Sequence, residues 1–205
     1  MTLVEAVVVV FVLAIVLAML LPALKAAKHK GGPSCVNNLK QIGLAYRLWA
    51  GDHGDKYPME TSITNGGTMG LADGRNVWIN YFVMSNELAT PKILLCRQDT
   101  NHEPAAVNFS WRLAGHVSYF VGLNADTNHT QAFLAGDDNF EINGAPVKSG
   151  LLEFSTNAPI AWTAARHKFS GNILLADGSV QTVTISGLTN LVHQTGLATN
   201  RLAIP

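Results

Sequence analysis

The N-terminal segment constrains this 205-residue chain most, because residues 6–21 carry apolar side chains without a break. Glu5 stands directly before this run, and the next charged residue is Lys25. As an α-helix rising about 1.5 Å per residue, residues 1–24 would reach about 36 Å, which exceeds the hydrocarbon thickness of a bilayer, about 30 Å. A helix without a polar face has to be buried on every side, so we expect this segment to lie in lipid or inside an assembly.

Neither a cleavable secretory signal nor a plain membrane anchor explains every feature of this apolar run. A cleavable secretory signal begins with basic residues, but no Lys or Arg precedes residues 6–21. A plain membrane anchor suits the length but gives Glu5 no role, although an unpaired carboxylate in lipid costs about 3 kcal/mol. The nearest candidate partner for Glu5 is the α-amino group of Met1, on the same chain or on a neighbouring one. The dipole at the start of a helix also favours a negative charge there.

Residues 1–5 read Met-Thr-Leu-Val-Glu, and with the apolar run behind them they resemble the mature N-terminus of type IV pilins and pseudopilins. In that family a prepilin peptidase removes a short leader, and the new N-terminal amine is methylated. The resemblance implies that Met1 is the processed and N-methylated residue and that Glu5 is the carboxylate used in filament assembly. It also implies that Pro22, which removes a helical hydrogen bond, marks a turn that loosens on assembly.

Composition and cysteine content narrow the class further. Charged residues make up only 14% of the chain and the formal net charge is zero, so no basic surface for nucleic acid is indicated. The two cysteines, Cys35 and Cys96, are compatible with a single disulfide on an exported chain, and two buried free thiols are the alternative. The bridge would close a loop of about 60 residues, worth about 4 kcal/mol in the chain-entropy treatment. The spacing excludes a Cys-x-x-Cys redox or zinc motif.

Residues 35–50 have the pattern of an amphipathic helix. Leu39, Ile42, Tyr46 and Trp49 recur at helical spacing and share one face, so we expect this face to pack against a sheet. The Gly-Gly-Pro sequence before this helix, at residues 31–33, predicts a hinge or kink.

Segments rich in β-branched and aromatic residues predict strands in the second half of the chain. The clearest is a hairpin in which residues 173–176 and 179–185 flank Asp177-Gly178, a pair that favours a two-residue turn with positive φ. Further strands are predicted at residues 117–123, 132–135 and 150–154. Periodicity leaves residues 77–84 open between helix and strand, and residues 186–205 open between a last helix and an irregular docked segment.

A second motif joins His167 to Asp177-Gly178 across nine intervening residues. This spacing resembles the C-terminal mark of prepilin-type proteins that carry a His-x9-Asp-Gly sequence. One interpretation is structural: Asp177 and Gly178 form the hairpin turn, and His167 bonds to that turn or to a buried carboxylate. The other is a metal-binding or catalytic His–Asp pair. The sequence contains no nucleophile elbow and no paired-His helix, so no enzymatic activity is expected.

Oxygen-bearing side chains at alternate positions give a candidate for calcium. Asn124, Asp126 and Asn128 are spaced like the beginning of a calcium loop, but the Gly and bidentate Glu of such a loop do not follow. A solvated turn is the alternative, and residues 136–139 (Gly-Asp-Asp-Asn) are interpreted in the same way. No other cofactor is expected.

Together these features predict an α+β, pilin-like fold with a long N-terminal α-helix and a C-terminal globular head containing an antiparallel β-sheet. Residues 1–30 would be the hydrophobic helix that serves as membrane anchor and filament core. Residues 31–205 would form the head, with the second half of the stalk helix at residues 34–50.

The expected function is that of a structural subunit of a type IV pilus-like extracellular filament. Its partners would be further copies of itself, the prepilin peptidase and the inner-membrane assembly machinery, with the inner membrane as its location before assembly. One alternative is a type II secretion pseudopilin in a periplasmic pseudopilus. Another is a membrane-anchored surface binding module that uses Trp78, Trp111 or Trp162.

Overall fold

The computed structural model describes Glu5, Phe11, Val12 and residues 35–71, 76–110 and 113–205. The chain divides into two units, Met1–Pro33 and Ser34–Pro205. Glu5, Phe11 and Val12 are helical and exposed. The predictions for Met1, Pro22 and the hinge at residues 31–33 lie outside the described residues. Within the described ranges, no helix combines the length and the hydropathy needed to cross a membrane.

Two antiparallel sheets form the centre of the described part of the second unit. In chain order they are β1 Tyr119–Gly122, β2 Phe133–Asp137, β3 Phe140–Ile142, β4 Ala145–Pro146, β5 Gly150–Ser155, β6 Ile160–Trp162, β7 Ser170–Leu175, β8 Val180–Thr184 and β9 Thr199–Ile204. Six of them form one sheet in the order β5-β9-β1-β2-β7-β8, and β4-β3-β6 form a smaller sheet. Every neighbouring pair in both sheets is antiparallel.

The helices of the described residues lie around these sheets. They are α1 Cys35–Asp52, α2 Val77–Phe82, α3 Ser85–Leu88 and α4 Ile185–Gln194, with 3-10 turns at Pro58–Glu60, Ile63–Asn65 and Pro91–Leu94. The segment at residues 77–84, which periodicity left open, is therefore helical over most of its length.

The large sheet is covered on both faces, which its alternating side chains make possible. Along β1, Tyr119 and Val121 join the hydrophobic cluster that contains α1, whereas Phe120 between them joins a second cluster. In the same way Leu174 of β7 faces the first cluster, and its neighbour Ile173 faces the second, which includes α4 and the smaller sheet. The sheet is thus the middle layer of this unit.

Helix α1 confirms the amphipathic pattern. Its four predicted core residues, Leu39, Ile42, Tyr46 and Trp49, are at most 2% exposed. Gly43 lets the helix approach β7 closely, because a Cβ at this position would lie 2.8 Å from Leu174 Cδ1.

The predicted fold class, a pilin-like α+β fold with a long N-terminal helix, is wrong. The longest helix of the described residues is α1, with 18 residues, and it begins only at Cys35. The six-stranded antiparallel sheet, whose central strands are buried on both faces, organises the described chain. The physical reason is that the buried apolar side chains lie mainly on strands and on one face of α1, so that the sheet, and not a stalk helix, supplies the surface on which the other elements pack.

The predicted hairpin is confirmed as β7 and β8, but its turn differs from the two-residue type. Leu174 pairs with Val180, and the amide of Gly178 donates to the Leu175 carbonyl. The loop therefore has three residues, 176–178. Only Gly178 of these three has a positive φ, at 79°. This combination matches the three-residue loop in which a turn is followed by a left-handed residue.

Candidate functional site

The predicted disulfide is present between Cys35 and Cys96. It links the first residue of α1 to the segment that follows the 3-10 turn Pro91–Leu94. Both cysteines are buried, and the Cys96 amide donates to Ser118 Oγ at 2.9 Å.

The motif residue His167 packs against this disulfide. Its Nε2 lies 3.4 Å from Cys96 Sγ and 3.3 Å from Asp137 Oδ2. The His167 side chain is 15% exposed, whereas that of Asp137 is fully buried. The carboxylate partner of His167 is therefore Asp137, at the end of β2, and not Asp177.

Asp137 is held by the strand beside it. Its Oδ2 accepts hydrogen bonds of 2.7 Å from both the amide and the side-chain Nδ2 of Asn172. Asn172 Oδ1 in turn accepts from Thr182 Oγ1. Asp137 Oδ1 is buried and has no hydrogen-bond partner. Because an unsatisfied buried oxygen is costly, this atom marks a place where a further charge or donor would be stabilising.

A second ionic group centres on Arg166, which is 4% exposed. Its Nη2 lies 2.7 Å from Asp99 Oδ2 and 2.5 Å from Asp138 Oδ1, and its Nη1 donates to the Ser118 carbonyl. His102 Nδ1 also contacts Asp99 Oδ2, at 2.7 Å. Arg166 thus connects the loop that follows Cys96 with the end of β2.

The two carboxylates on Arg166 differ in protonation. Burial acts to raise the pKa of Asp99, but hydrogen bonds from His102, Ser118 and the Asn101 amide, together with the Arg166 charge, hold it below its ordinary value. Asp138 lacks this set of donors, and burial raises its pKa from 3.8 to about 6 against the Arg166 charge. Asp99 therefore stays ionised, whereas Asp138 takes up a proton in mildly acidic conditions.

The loop that carries Arg166 and His167 adopts a backbone that side chains rarely allow. Arg166, Lys168 and Phe169 have φ values of 59°, 51° and 61°, a conformation costing about 1–3 kcal/mol for each non-glycine residue. Asn139 Nδ2 holds the loop by donating to the carbonyls of Ala165 and Ser170. The inward contacts of Arg166 and His167 offset this strain.

A cavity of about 450 Å³ lies beside Arg166. Its polar lining comes from Asn101, His102, Asp138, Asn139 and Arg166. Asn139 Oδ1 is buried without a hydrogen-bond partner. The volume falls within the range of small-molecule pockets.

Asp177 and Gly178 serve the turn between β7 and β8. Asp177 Oδ1 accepts from the Ser179 amide at 2.7 Å, and the Asp177 amide donates to the Thr130 carbonyl. Asp177 and Gly178 therefore form the turn between β7 and β8, whereas His167 belongs to the loop that contacts Asp137.

Two of the three side chains proposed for calcium, Asn124 and Asp126, make hydrogen bonds within the chain. Asn124 Oδ1 accepts from the Arg201 amide at 2.7 Å. Asp126 Oδ1 accepts from the amides of Asn128 and His129, and Oδ2 lies 2.6 Å from His129 Nδ1. Burial acts to raise the pKa of Asp126, but these bonds lower it below its ordinary value. This geometry is that of a turn closed by its own side chains.

Sequence reasoning missed most of the site. Residues 136–139 were interpreted as a solvated turn, but Asp137 is fully buried and Asp138 is only 10% exposed. Asp99, Arg166 and Asn172 were not singled out. The one available signal was Arg166 beside the motif histidine, because buried carboxylates need a cation.

The chemistry open to this arrangement is limited while the disulfide is formed. A nucleophile–His–carboxylate relay uses the two different ring nitrogens of histidine. Here Cys96 Sγ and Asp137 Oδ2 both approach Nε2, and a disulfide sulfur carries no proton to transfer. The contacts therefore act to join three segments of the fold.

The fold and the site define a disulfide-bonded domain, centred on an antiparallel sheet, with buried ionic groups between its loops. Comparison with known proteins adds no relative: no family model matches the chain, and no curated protein or solved structure matches it.

Proposed function

We propose that this protein is a structural subunit of a type IV pilus-like extracellular filament that assembles through its apolar N-terminal segment. The observation that carries this proposal is the unbroken apolar run of residues 6–21 behind the single carboxylate of Glu5. Such a segment is stable in the inner membrane and equally stable in the core of a filament built from many copies. Glu5 favours the filament because a cation of a neighbouring subunit neutralises it there.

The disulfide supports an exported subunit. Disulfides persist mainly in oxidising compartments, such as the bacterial periplasm and the cell exterior. The bond between Cys35 and Cys96 secures the unit immediately after the proposed assembly segment, where a filament would transmit mechanical load.

The outer face of α1 supports contact between subunits. Leu44 and Leu48 are 57% and 52% exposed, and residues four apart lie next to each other on a helix surface. Two exposed leucines on the helix that follows the apolar segment offer a surface for the next copy. A heterologous contact of this kind, repeated, gives an open helical polymer.

The ionic groups fit a structural role and not an enzymatic one. His167 and Arg166 fasten a strained loop to Asp137, Asp138 and Asp99. These contacts stabilise the exposed part of a subunit, and they require no substrate.

A single experiment separates filament assembly from simple anchoring. In cells expressing the full chain, Glu5→Ala and Glu5→Leu should leave membrane insertion intact, because both changes make the segment more apolar. Filament yield, counted by electron microscopy, should fall at least about tenfold, since about 1.4 kcal/mol lost per contact lowers an association constant tenfold. Glu153→Ala, which removes an exposed carboxylate on β5, is the matched control and should leave the yield unchanged.

Normal filaments from the Glu5 variants would contradict the proposal. The length of the wild-type filaments distinguishes a shed pilus from a short secretion pseudopilus, which the same assembly segment would also build.

The cavity beside Arg166 favours a second candidate, a membrane-anchored surface binding module. Its polar lining, including Asp138 and Asn139, suits a small ligand with hydroxyl or amino groups. An aromatic platform is less suitable, because Trp162 is only 1% exposed and Trp78 is partly buried against the core. Trp111 lies outside the described residues. A protein that stays monomeric in the membrane and tolerates replacement of Glu5 would favour this function.

A further inference from the structure

Three soft donor atoms converge at the disulfide. Cys35 Sγ, Cys96 Sγ and His167 Nε2 all lie within 4.8 Å of one another. Two thiolates and an imidazole form a ligand set that suits zinc, and three protein ligands with one further position are a common zinc arrangement. Both cysteines are buried and His167 is 15% exposed, so the site is enclosed and yet reachable from one side.

The separation of the sulfur and nitrogen atoms fits a common metal. Zn–S and Zn–N bonds of about 2.3 Å and 2.0–2.1 Å place tetrahedral sulfur and nitrogen ligands about 3.5 Å apart. Cys96 Sγ and His167 Nε2 are 3.4 Å apart. The pair therefore needs almost no rearrangement, and only the two sulfur atoms have to separate.

Asp137 supplies an independent indication of a cation. Its side chain is fully buried, and Oδ1 has no hydrogen-bond partner. Its Oδ2 lies 3.3 Å from His167 Nε2, but Asp137 is not one of the donor atoms that all lie within 4.8 Å of one another. Asp137 would therefore stand beside the ion without binding it directly. A buried carboxylate without full compensation is stabilised by a neighbouring divalent cation.

We propose that the reduced form of this protein binds one zinc ion through Cys35, Cys96 and His167, with the fourth position open to water. The disulfide and the zinc ion exclude each other. A dithiol transfers two electrons and two protons to the sulfur atoms and becomes a disulfide, whereas a phosphine supplies the two electrons, water supplies the two protons, and the phosphine oxide forms. Zinc then binds as the two thiols release their protons, and reoxidation by a small disulfide, which takes up the two electrons and becomes two thiols, expels it.

Zinc would give the chain before oxidation the same link that the disulfide provides afterwards. Both join the start of α1 to the segment at Cys96, 61 residues apart in sequence. Spacing along the chain excluded a zinc motif because the ligands come from three distant segments, which only the fold brings together.

The test uses the full-length protein in detergent, reduced with a phosphine and freed of metal by a chelator that is then removed. Titration with Co²⁺ should produce thiolate-to-cobalt absorption that saturates at one ion per chain, and Zn²⁺ should abolish it by competition. The oxidised protein should give no such absorption. Absence of one-to-one binding by the reduced protein, or equal binding by the oxidised protein, would overturn the proposal.

Variants assign the ligands. His167→Ala should weaken Zn²⁺ binding to the reduced protein at least tenfold, and Cys35→Ser should abolish the cobalt absorption. His193→Ala, an exposed histidine on α4, is the matched control and should retain wild-type affinity. Because His167→Ala also removes a contact to Asp137, His167→Asn is measured beside it, and circular dichroism of each reduced variant verifies folding. Wild-type zinc affinity in a folded His167 variant would refute the assignment, whether or not the protein forms filaments.

Discussion

Single carboxylates in this protein behave differently because their hydrogen-bond partners differ. Asp99 and Asp138 contact the same Arg166 nitrogen, but Asp99 also receives bonds from His102 and the Asn101 amide. The pKa of Asp99 is therefore lowered, whereas burial raises that of Asp138 to about 6. A shared cation does not by itself determine the charge of a buried acid.

This difference gives a pH dependence that can be measured. Because the pKa of Asp138 is higher in the folded protein than in the unfolded chain, the folded state takes up a proton as the pH falls through about 6, and this residue's contribution to stability rises. Relative to Asp138→Asn, the wild-type free energy of unfolding should increase by about 1 kcal/mol between about pH 7 and pH 5. Urea denaturation of both proteins at each pH tests this, and parallel pH profiles would contradict it.

At the scale of elements, the two sheets meet through a glycine. Gly171 of β7 lies against the ring of Trp162 of β6, and a Cβ on Gly171 would be 2.4 Å from ring atoms. Trp162 is 1% exposed and packs edge-on against Phe140, at a centroid distance of 6.0 Å. The ring is enclosed and has no free space into which it can move.

Gly171→Ala should therefore destabilise the protein by about 1–3 kcal/mol, the usual cost of overpacking. Gly51→Ala is the matched control, because this helical glycine has nothing within 4 Å of an added Cβ. That change should stabilise the protein by about 0.5–1 kcal/mol, since alanine loses less backbone entropy in a helix. Denaturation midpoints that shift equally and in the same direction would show that the contact with Trp162 is not decisive.

At the scale of the whole molecule, the disulfide between Cys35 and Cys96 links two distant positions of the described chain. It spans 61 residues and encloses α1, α2, α3 and the 3-10 turns before the first strand. These short elements pack on one face of the large sheet and contribute no strands to it. The bond restricts the unfolded chain where local structure alone would be weakest.

Replacing both Cys35 and Cys96 by alanine should lower the free energy of unfolding by about 4 kcal/mol in the chain-entropy treatment. Chemical denaturation of the oxidised wild type and the double variant, with a chelator present to exclude metal, measures the difference. A loss below about 1 kcal/mol would show that the loop is already restricted in the unfolded state.

The sequence alone determined what depends on neighbouring residues. Period and turn chemistry predicted helix α1 with its buried face and the hairpin of β7 and β8, because helices and tight turns are built from contacts within a few residues. For the two cysteines the sequence left a disulfide and two free thiols open, and the structure shows the disulfide. The apolar run at residues 6–21 gives the functional proposal its main support.

Only the tertiary structure decided what depends on distant segments. Strand β9, predicted as part of a last helix or an irregular docked segment, lies inside the large sheet between β5 and β1. Asp137 is buried, and His167 contacts it and not Asp177. Local patterns indicate the period of each segment and its turns. They do not record which segments meet, because that depends on packing across the whole sheet.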